Sequence, residues 1–172
     1  IASALIAAIE TPDNQDAYRK DLLQYFDVDG SFQVLLMTCE GLDSMDTVER
    51  KKLSYRIQVY LEDITHNGSF FYYNSDFVLL ANALSEEYLC RLVEGAIKRG
   101  KRRMPGLQLC VGIGSRCMDI SQLSVSYQRA KAAAHIAMTQ KKQVVKFDDC
   151  GLFRLLYMVK DKEILKEMET EC

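Results

Sequence analysis

The sequence predicts an α+β fold, a ferredoxin-like β-α-β-β-α-β sandwich followed by an extra αβ unit, with helical extensions at both ends. Three observations predict it. Apolar runs of strand length alternate with amphipathic helical stretches in that order, capping residues stand before the long helical stretches, and two of the apolar runs are separated only by a short polar turn. Right-handed crossovers would place both long helices on one face of an antiparallel sheet.

The first half of the chain supplies a strand between two helices. A short helix is predicted over 14–26, where leucines and a phenylalanine face away from charged residues. The stretch 31–39, SFQVLLMTC, is a continuous apolar run after Asp-Gly, which is the pattern of a strand covered on both faces. Asp46 and Glu49 have the spacing of a capping box and predict the start of a long helix.

The second half begins with a hairpin. Apolar runs at 69–73 and 76–81 meet at a tight polar turn, which predicts two antiparallel strands. The later elements are a helix capped by Ser85, a strand at 106–114, a helix that starts at the capping pair Asp119 and Gln122, and a short strand at 143–147.

Composition sets limits on the function. The chain has 172 residues, 48% hydrophobic and 27% charged, which suits one soluble domain with a core of its own. No apolar run approaches the ~18 residues of a membrane span, so no membrane partner is predicted. The formal net charge of −2 gives no general attraction to nucleic acid.

The cysteines indicate the compartment. Six are scattered at irregular spacing, without a secretory leader before them, which favours free thiols and a cytoplasmic protein. No Cys-x-x-Cys pair occurs, and His66 lies far from His135 in sequence, so a zinc site is not expected. The six are Cys39, Cys90, Cys110, Cys117, Cys150 and Cys172.

Three weaker patterns favour structural explanations. The stretch 112–117, GIGSRC, imitates half of a dinucleotide-binding fingerprint, but a strand end that allows close approach of another backbone is favoured. The basic residues at 98–103 suit the solvated C-terminal end of a helix, although they are also of the type that contacts phosphates. His135 lies in an alanine-rich helix and is assigned to packing.

The order of the parts resembles the GGDEF domain of diguanylate cyclases: a helix, a hairpin, a strand ending in Gly-Ile-Gly, a YQRAKAAAHIA helix and a short VVKF strand. In that family the hairpin carries Gly-Gly-Asp-Glu-Phe. The matching positions here are Tyr73, Asn74, Ser75, Asp76 and Phe77. The paired metal-binding aspartates of the family, at the end of the first strand, fall on Thr38 and Glu40.

This resemblance implies a degenerate site. Cyclisation of a nucleoside triphosphate needs carboxylates to hold a divalent metal, and glycines to let the substrate approach the backbone. Because Thr38 and Ser75 replace carboxylates and Tyr73 replaces a glycine, we predict that the chain is not an enzyme and has no catalytic residues, metal or cofactor. The alternative is a nucleotide- or small-molecule-binding domain with a residual metal site on Glu40 and Asp76.

A narrower resemblance is to PucR-like, or CdaR-like, bacterial transcription regulators. It rests on the Gly-x-Gly strand, on Ser126, Tyr127 and Ala130 in the helix that follows, and on the segment VVKFDDCGLFRLL. In that family a GGDEF-like domain lies between a sensory region and a helix-turn-helix. The resemblance implies a regulatory domain that self-associates, as a dimer, and relays effector sensing to a DNA-binding domain absent from this chain.

Three parts are expected. Residues 1–30 form an N-terminal helical segment that continues from an upstream region, 31–149 form the GGDEF-like domain, and 150–172 form a helical linker toward the helix-turn-helix. Both ends are expected to be cut, since the chain starts within IASALIAAI and stops within a helical pattern. A third alternative is a small-molecule sensor, with its effector bound between the sheet's open face and the terminal helices.

Overall fold

The computed structural model describes residues 2–24, 31–60, 68–82, 85–103, 106, 108–152 and 156. Five helices and five strands of the described part follow one another in the chain. They are α1 (Ala2–Glu10), α2 (Arg19–Leu23), β1 (Phe32–Cys39), α3 (Thr47–Tyr60), β2 (Gly68–Tyr73), β3 (Asp76–Asn82), α4 (Glu86–Arg103), β4 (Leu109–Ile113), α5 (Leu123–Gln140) and β5 (Val144–Lys146).

The strands form one sheet in the order β2-β3-β1-β4-β5. The first four are antiparallel neighbours, whereas β5 pairs with β4 in parallel. This is the strand order of a ferredoxin-like β-α-β-β-α-β unit with α5 and β5 added at one edge. The predicted fold class is therefore confirmed.

Both faces of the sheet are covered, as the continuous apolar run of β1 predicts. One face carries α3 and α4, through side chains such as Leu53, Ile57 and Val93, in agreement with the prediction that both long helices share a face. The opposite face carries α1 and α5, through Leu5 and Leu123 among others. The sheet is thus the middle layer between two pairs of helices.

The N-terminal helix finds its apolar partner within the chain. Ala4, Leu5, Ala8 and Ile9 are buried in the same cluster as Tyr127 of α5. α1 therefore packs into the core of the domain, while the predicted boundary at residue 30 stays a prediction. The C-terminal part, 150–172, lies mostly outside the described residues.

Capping follows the sequence closely. The Ser85 hydroxyl accepts a hydrogen bond from the Tyr88 amide at 3.3 Å, and the Asp119 carboxylate accepts one from the Ser121 amide at 2.8 Å.

The predicted helix over 14–26 is shorter in the structure. Tyr18, with φ of −137°, interrupts it between a 3₁₀ turn and α2, because its fully buried side chain turns into the core.

Two further observations concern the cysteines and the helices. The five described cysteines are free thiols, and Cys39, Cys110 and Cys117 are buried. None of the described helices combines the length and the apolar character that crossing a membrane requires.

Candidate functional site

The contact between β4 and α5 depends on two glycines, which have no side chain to keep the two backbones apart. A Cβ on Gly112 would overlap the backbone of Ala130 and Ala134, and one on Gly114 would overlap the carbonyl oxygen of Ser126. The helix backbone therefore lies directly on the strand, as predicted for the Gly-Ile-Gly stretch. This close approach fixes the position of α5 over the end of β1.

Ser126 ties three segments together at this contact. Its hydroxyl donates to the carbonyl oxygen of Ser115 at 2.8 Å and accepts a hydrogen bond from the amide of Val34 at 3.1 Å. Ser126 is only 1% exposed, so both partners depend on it rather than on water. The Ser-Tyr-x-x-Ala motif thus has a structural explanation: Ser126 links β1 to the loop after β4, and Ala130 fits against Gly112.

The hairpin turn lies at the opposite end of the same sheet face. Tyr73 pairs with Asp76, which leaves Asn74 and Ser75 as a two-residue loop with φ of 50° and 72°. Positive φ at both positions is typical of a type I′ turn, which matches the twist of the two strands. Asparagine adopts this conformation readily, whereas serine does so at a cost.

Tyr73 joins the hairpin to both helices on its face. Its hydroxyl donates to Glu10 Oε1 at 2.6 Å, and its ring centroid lies 5.8 Å from that of Tyr127. The hydrogen bond to Glu10, followed by burial, raises the pKa of Tyr73 to about 12. The ring is thus held between α1 and α5.

Asp76 and Thr38 are neighbours at the sheet end. The register that pairs Met37 with Phe77 brings them side by side on adjacent strands. Burial raises the pKa of Asp76, and a hydrogen bond from Thr38 and the charge of Lys131 lower it in part. Phe77 faces the other way and is fully buried in the α3–α4 layer.

A cavity of about 410 Å³ opens beside Asp76, and we call it the Asp76 cavity. Lys131 and His135 reach it from α5, and both are exposed. His135 therefore lines a cavity rather than packing, contrary to the sequence-based assignment. The lining consists of Leu36, Thr38, Asp76, Lys131, Ala134, His135, Met138 and Thr139.

Tyr127 adds a buried polar group near this cavity. It is 2% exposed, and its hydroxyl forms no hydrogen bond of normal geometry in the described part of the chain. Burial raises the pKa of Tyr127, the Asn74 side chain lowers it in part, and the negative charge of Asp76 raises it further. The buried hydroxyl thus lies close to the Asn74 side chain in the turn and within the field of Asp76.

Glu40 lies apart from Asp76. It is exposed just after β1 and lines a second cavity, of about 270 Å³, which shares Met138 with the first. No group of three or more metal-ligating side chains comes together among the residues that the structure describes. Glu40 and Asp76 line different cavities, and two carboxylates are fewer ligands than the six or more oxygens of a typical calcium site.

The comparisons with known proteins decide the family. The sequence pattern of the GGDEF-like domain family matches residues 5–136. This chain belongs to that family. The match includes most of α1, the hairpin and most of α5, and therefore Glu10, Tyr73 and Tyr127. No curated protein matches the chain by sequence.

Solved structures agree with the fold. The GGDEF domain of DgcB from Caulobacter crescentus in complex with c-di-GMP superposes with a TM-score of 0.58 at 8% identity, over 78% of this chain and 91% of that one. A microbial GGDEF domain described with cyclic di-GMP gives 0.50 at 17%, over 74% and 86%. The S helix-GGDEF-EAL part of LapD from Vibrio cholerae gives 0.52 at 15%, over 93% and 43%.

These matches correct the prediction that the chain is not an enzyme. The family and the similar structures are GGDEF domains, the domain that the sequence already relates to diguanylate cyclases. Substitutions at Thr38, Tyr73 and Ser75 alone do not support the exclusion of activity or of catalytic residues, and that exclusion is withdrawn. The degeneracy of the hairpin and the likeness to transcription regulators stay predictions.

Sequence reasoning missed two of the cavity-lining residues. Lys131 and His135 lie four positions apart and therefore on the same side of α5. The sequence shows that spacing, but it does not show which strand ends lie against this side of α5. The missing information was the position of α5 over β1, which depends on the close contact with Gly112.

Proposed function

We propose that this GGDEF-like domain is a regulatory domain of a bacterial transcription regulator. It associates with itself and relays the state of a sensing region to a DNA-binding region, both of which lie outside this chain. The contact of Tyr73 with Glu10 and Tyr127 is the observation that carries the proposal. The likeness of the sequence to PucR-like regulators supports the biological setting.

The contact supports a relay because it joins the end of α1 to the hairpin. α1 buries its apolar side against α5, so a pull on the helix from upstream is opposed by packing and by the Glu10 hydrogen bond. Interfaces of this kind shift between discrete arrangements rather than deforming continuously. A displaced α1 would release Tyr73, and with it the turn that lies next to Asp76.

Self-association has support on the outer side of α3. Val48, Tyr55 and Val59 are 57%, 70% and 46% exposed, although they are large apolar residues. Their spacing of seven and four residues places them along one side of the helix. A second copy of the domain is the proposed partner of this surface, and sedimentation of the chain at increasing concentration measures it.

The relay is tested in the intact protein in its own host. Tyr73→Phe removes the hydroxyl that binds Glu10 and keeps the ring, and Tyr88→Phe is the matched control at an exposed position on α4. The proposal predicts changed transcript levels in the Tyr73→Phe strain at equal protein level, and none in the control strain. Identical transcripts in both strains would contradict the relay.

A second candidate function is favoured by the Asp76 cavity. It combines a half-buried carboxylate, the Thr38 hydroxyl and the Lys131 ammonium. An acceptor, a hydroxyl and a cation lining one cavity suit the polar groups and the charge of a nucleotide. Two of the similar GGDEF structures contain c-di-GMP, which supports this ligand class.

Calorimetric titration with GTP and with c-di-GMP tests the second candidate. Lys131→Gln is expected to weaken binding by about 3- to 10-fold, the size of one partly exposed charge contact. Lys98→Gln, an exposed lysine on α4, is the control. Absence of binding to the wild-type chain, or equal binding in the two variants, would argue against a nucleotide at this cavity.

A further inference from the structure

The two edges of the sheet differ in how they are protected against another strand. β5, at one edge, has three residues, and its Lys146 forms a salt bridge with Asp149. β2, at the other edge, has six residues, GSFFYY, with no charge, no proline and four consecutive aromatic residues. Edge strands that stay single are usually short, charged or interrupted. β2 has none of these features, which indicates that another strand pairs with it.

The hairpin register shows which backbone groups of β2 face outward. Tyr73 pairs with Asp76 next to the two-residue turn, so this pair exchanges both of its hydrogen bonds across the hairpin. Because such pairs alternate with open ones along antiparallel strands, the amides and carbonyls of Gly68, Phe70 and Tyr72 point away from β3. Within the described ranges, no hydrogen bond reaches these groups. β2 therefore presents a row of donors and acceptors to a further strand.

Partly buried aromatic rings line both faces of this edge. Phe70 and Tyr72 pack against the α3–α4 layer, and Phe71 and Tyr73 pack against the layer of α1 and α5. The Cζ atom of Arg50, on α3, lies 4.2 Å from the centre of the Tyr72 ring. α3 thus lies over the same edge of the sheet. A strand added to β2 would cover the remaining exposed parts of the rings on both faces.

We infer that β2 pairs in antiparallel fashion with β2 of a second copy of this chain, so that the two sheets join into one. This inference rests on the self-association proposed above and adds the strand that fixes its geometry. The register that uses all three outward residues places Phe70 opposite Phe70 of the second copy, and Gly68 opposite Tyr72 of that copy. Each such pair contributes two hydrogen bonds, about six in all, which is within the usual range for a protein interface.

The chemistry of β2 favours a second copy over an unrelated segment. Under two-fold symmetry an antiparallel strand is its own complement, because each outward amide meets an outward carbonyl. The absence of charge in 68–73 removes repulsion between the copies, and it gives an acidic or basic peptide no ion pair with this strand. The Tyr72 ring would also cover the edge at Gly68 of the other copy. α3, whose outer side is proposed above to meet a second copy, covers the same edge.

Amide exchange in the monomer and in the dimer tests the pairing. Sedimentation gives the midpoint of self-association, and NMR then measures exchange residue by residue at one concentration well below it and one well above it. The amides of Phe70 and Tyr72 are expected to exchange about 10-fold more slowly at the higher concentration, because the dimer gives them hydrogen-bond partners. The amides of Ser69 and Phe71, which bond to β3 within one copy, are the internal control and should keep their rates.

The outcomes separate this inference from self-association itself. A dimer in which Phe70 and Tyr72 exchange as fast as in the monomer overturns the β2 pairing, while self-association through α3 stands. Slow exchange of both amides already in the monomer means that the chain itself covers the edge, which also overturns the pairing. A chain that stays monomeric up to about 1 mM contradicts both the pairing and the proposed self-association.

Two substitutions at one position isolate the contribution of the backbone. Gly68→Pro removes an outward amide, whereas Gly68→Ala keeps it. Proline is tolerated at the first residue of an edge strand, so the monomer should keep its fold, and unchanged exchange at Ser69 and Phe71 verifies this. The dissociation constant of the dimer is expected to rise about 10-fold or more in Gly68→Pro and less than about 3-fold in Gly68→Ala. Equal dissociation constants in the two variants would contradict the pairing.

Discussion

Two regions on the same face of the sheet are built in opposite ways. Between β4 and α5, Gly112 and Gly114 leave out side chains so that two backbones touch. At the β2–β3 hairpin, Tyr73 and Asn74 supply side chains at positions where the GGDEF resemblance places glycines. The comparison indicates that the β4–α5 contact stabilises the fold, whereas the hairpin contains the side chains that differ from the GGDEF resemblance. Substitutions at the β4–α5 contact should therefore change stability most. Substitutions at the hairpin should most change the coupling between the hairpin and α1.

The largest effect is expected at Gly112. Gly112→Ala puts a methyl group into the backbone of α5, which cannot move without losing its packing, and should destabilise the fold by more than about 3 kcal/mol. Gly106→Ala is the control, because nothing lies within 4 Å of its added Cβ. Urea unfolding measures both. Similar unfolding midpoints for the two variants would show that the fold does not depend on the close β4–α5 contact.

Ser126→Ala should have the next largest effect. It leaves the amide of Val34 and the carbonyl of Ser115 without their shared partner in a buried place. The expected loss is about 2 kcal/mol, within the range for unsatisfied buried groups. Ser124→Ala, two residues away on the same helix, is the control. An equal loss of stability in both variants would mean that Ser126 contributes only through its helix propensity.

At the hairpin the first expected change is a gain. Ser75→Gly removes the cost of a left-handed serine and should raise stability by about 1 kcal/mol. Asn74→Gly should gain less, because asparagine already tolerates this conformation. A loss of stability in Ser75→Gly, measured by thermal unfolding, would mean that the serine side chain has a role in the turn.

A smaller effect is expected from pH at Tyr73. Its pKa is raised from 10.0 to about 12, so the folded state favours the neutral phenol. The resulting stability is fully present below pH 10.0 and is lost as pH rises toward about 12. Tyr73→Phe should therefore flatten the decline of stability in this window. An alkaline decline as steep as in the control Tyr88→Phe would argue against the Glu10 hydrogen bond.

The sequence predicted local elements better than their contacts. The bounds of β1, α3 and the hairpin are close to the predicted ones. The reason is that hydrophobic periodicity and capping residues such as Ser85 depend only on residues a few positions apart in the sequence. The Asp76 cavity was only half predicted. Thr38 and Asp76 followed from the resemblance, whereas Lys131 and His135 depend on where a distant helix lies.

The position of α1 was also beyond the sequence. Its apolar side indicated that the helix needs a partner, but nothing in the periodicity of Ala4, Leu5 and Ala8 names α5 as that partner. The bond between Glu10 and Tyr73 joins residues that are 63 positions apart. Such a pair has no local signal, because its geometry exists only after the sheet and both helices have packed.

Hydrogen exchange of α1 tests the coupling of this helix to the hairpin most directly. The amides of residues 6–10 and of Thr11, whose amide donates to the Ala7 carbonyl at 2.8 Å, report whether α1 stays docked. Loss of one charge-assisted hydrogen bond should speed their exchange by about 3- to 10-fold in Tyr73→Phe, while the amides of β1 keep their rates. We expect a smaller increase for Glu10→Gln, whose amide oxygen still accepts the hydrogen bond but carries no charge, and none for Tyr88→Phe. Exchange in α1 that is the same in the wild type and in Tyr73→Phe would contradict the claim that the hairpin holds the N-terminal helix.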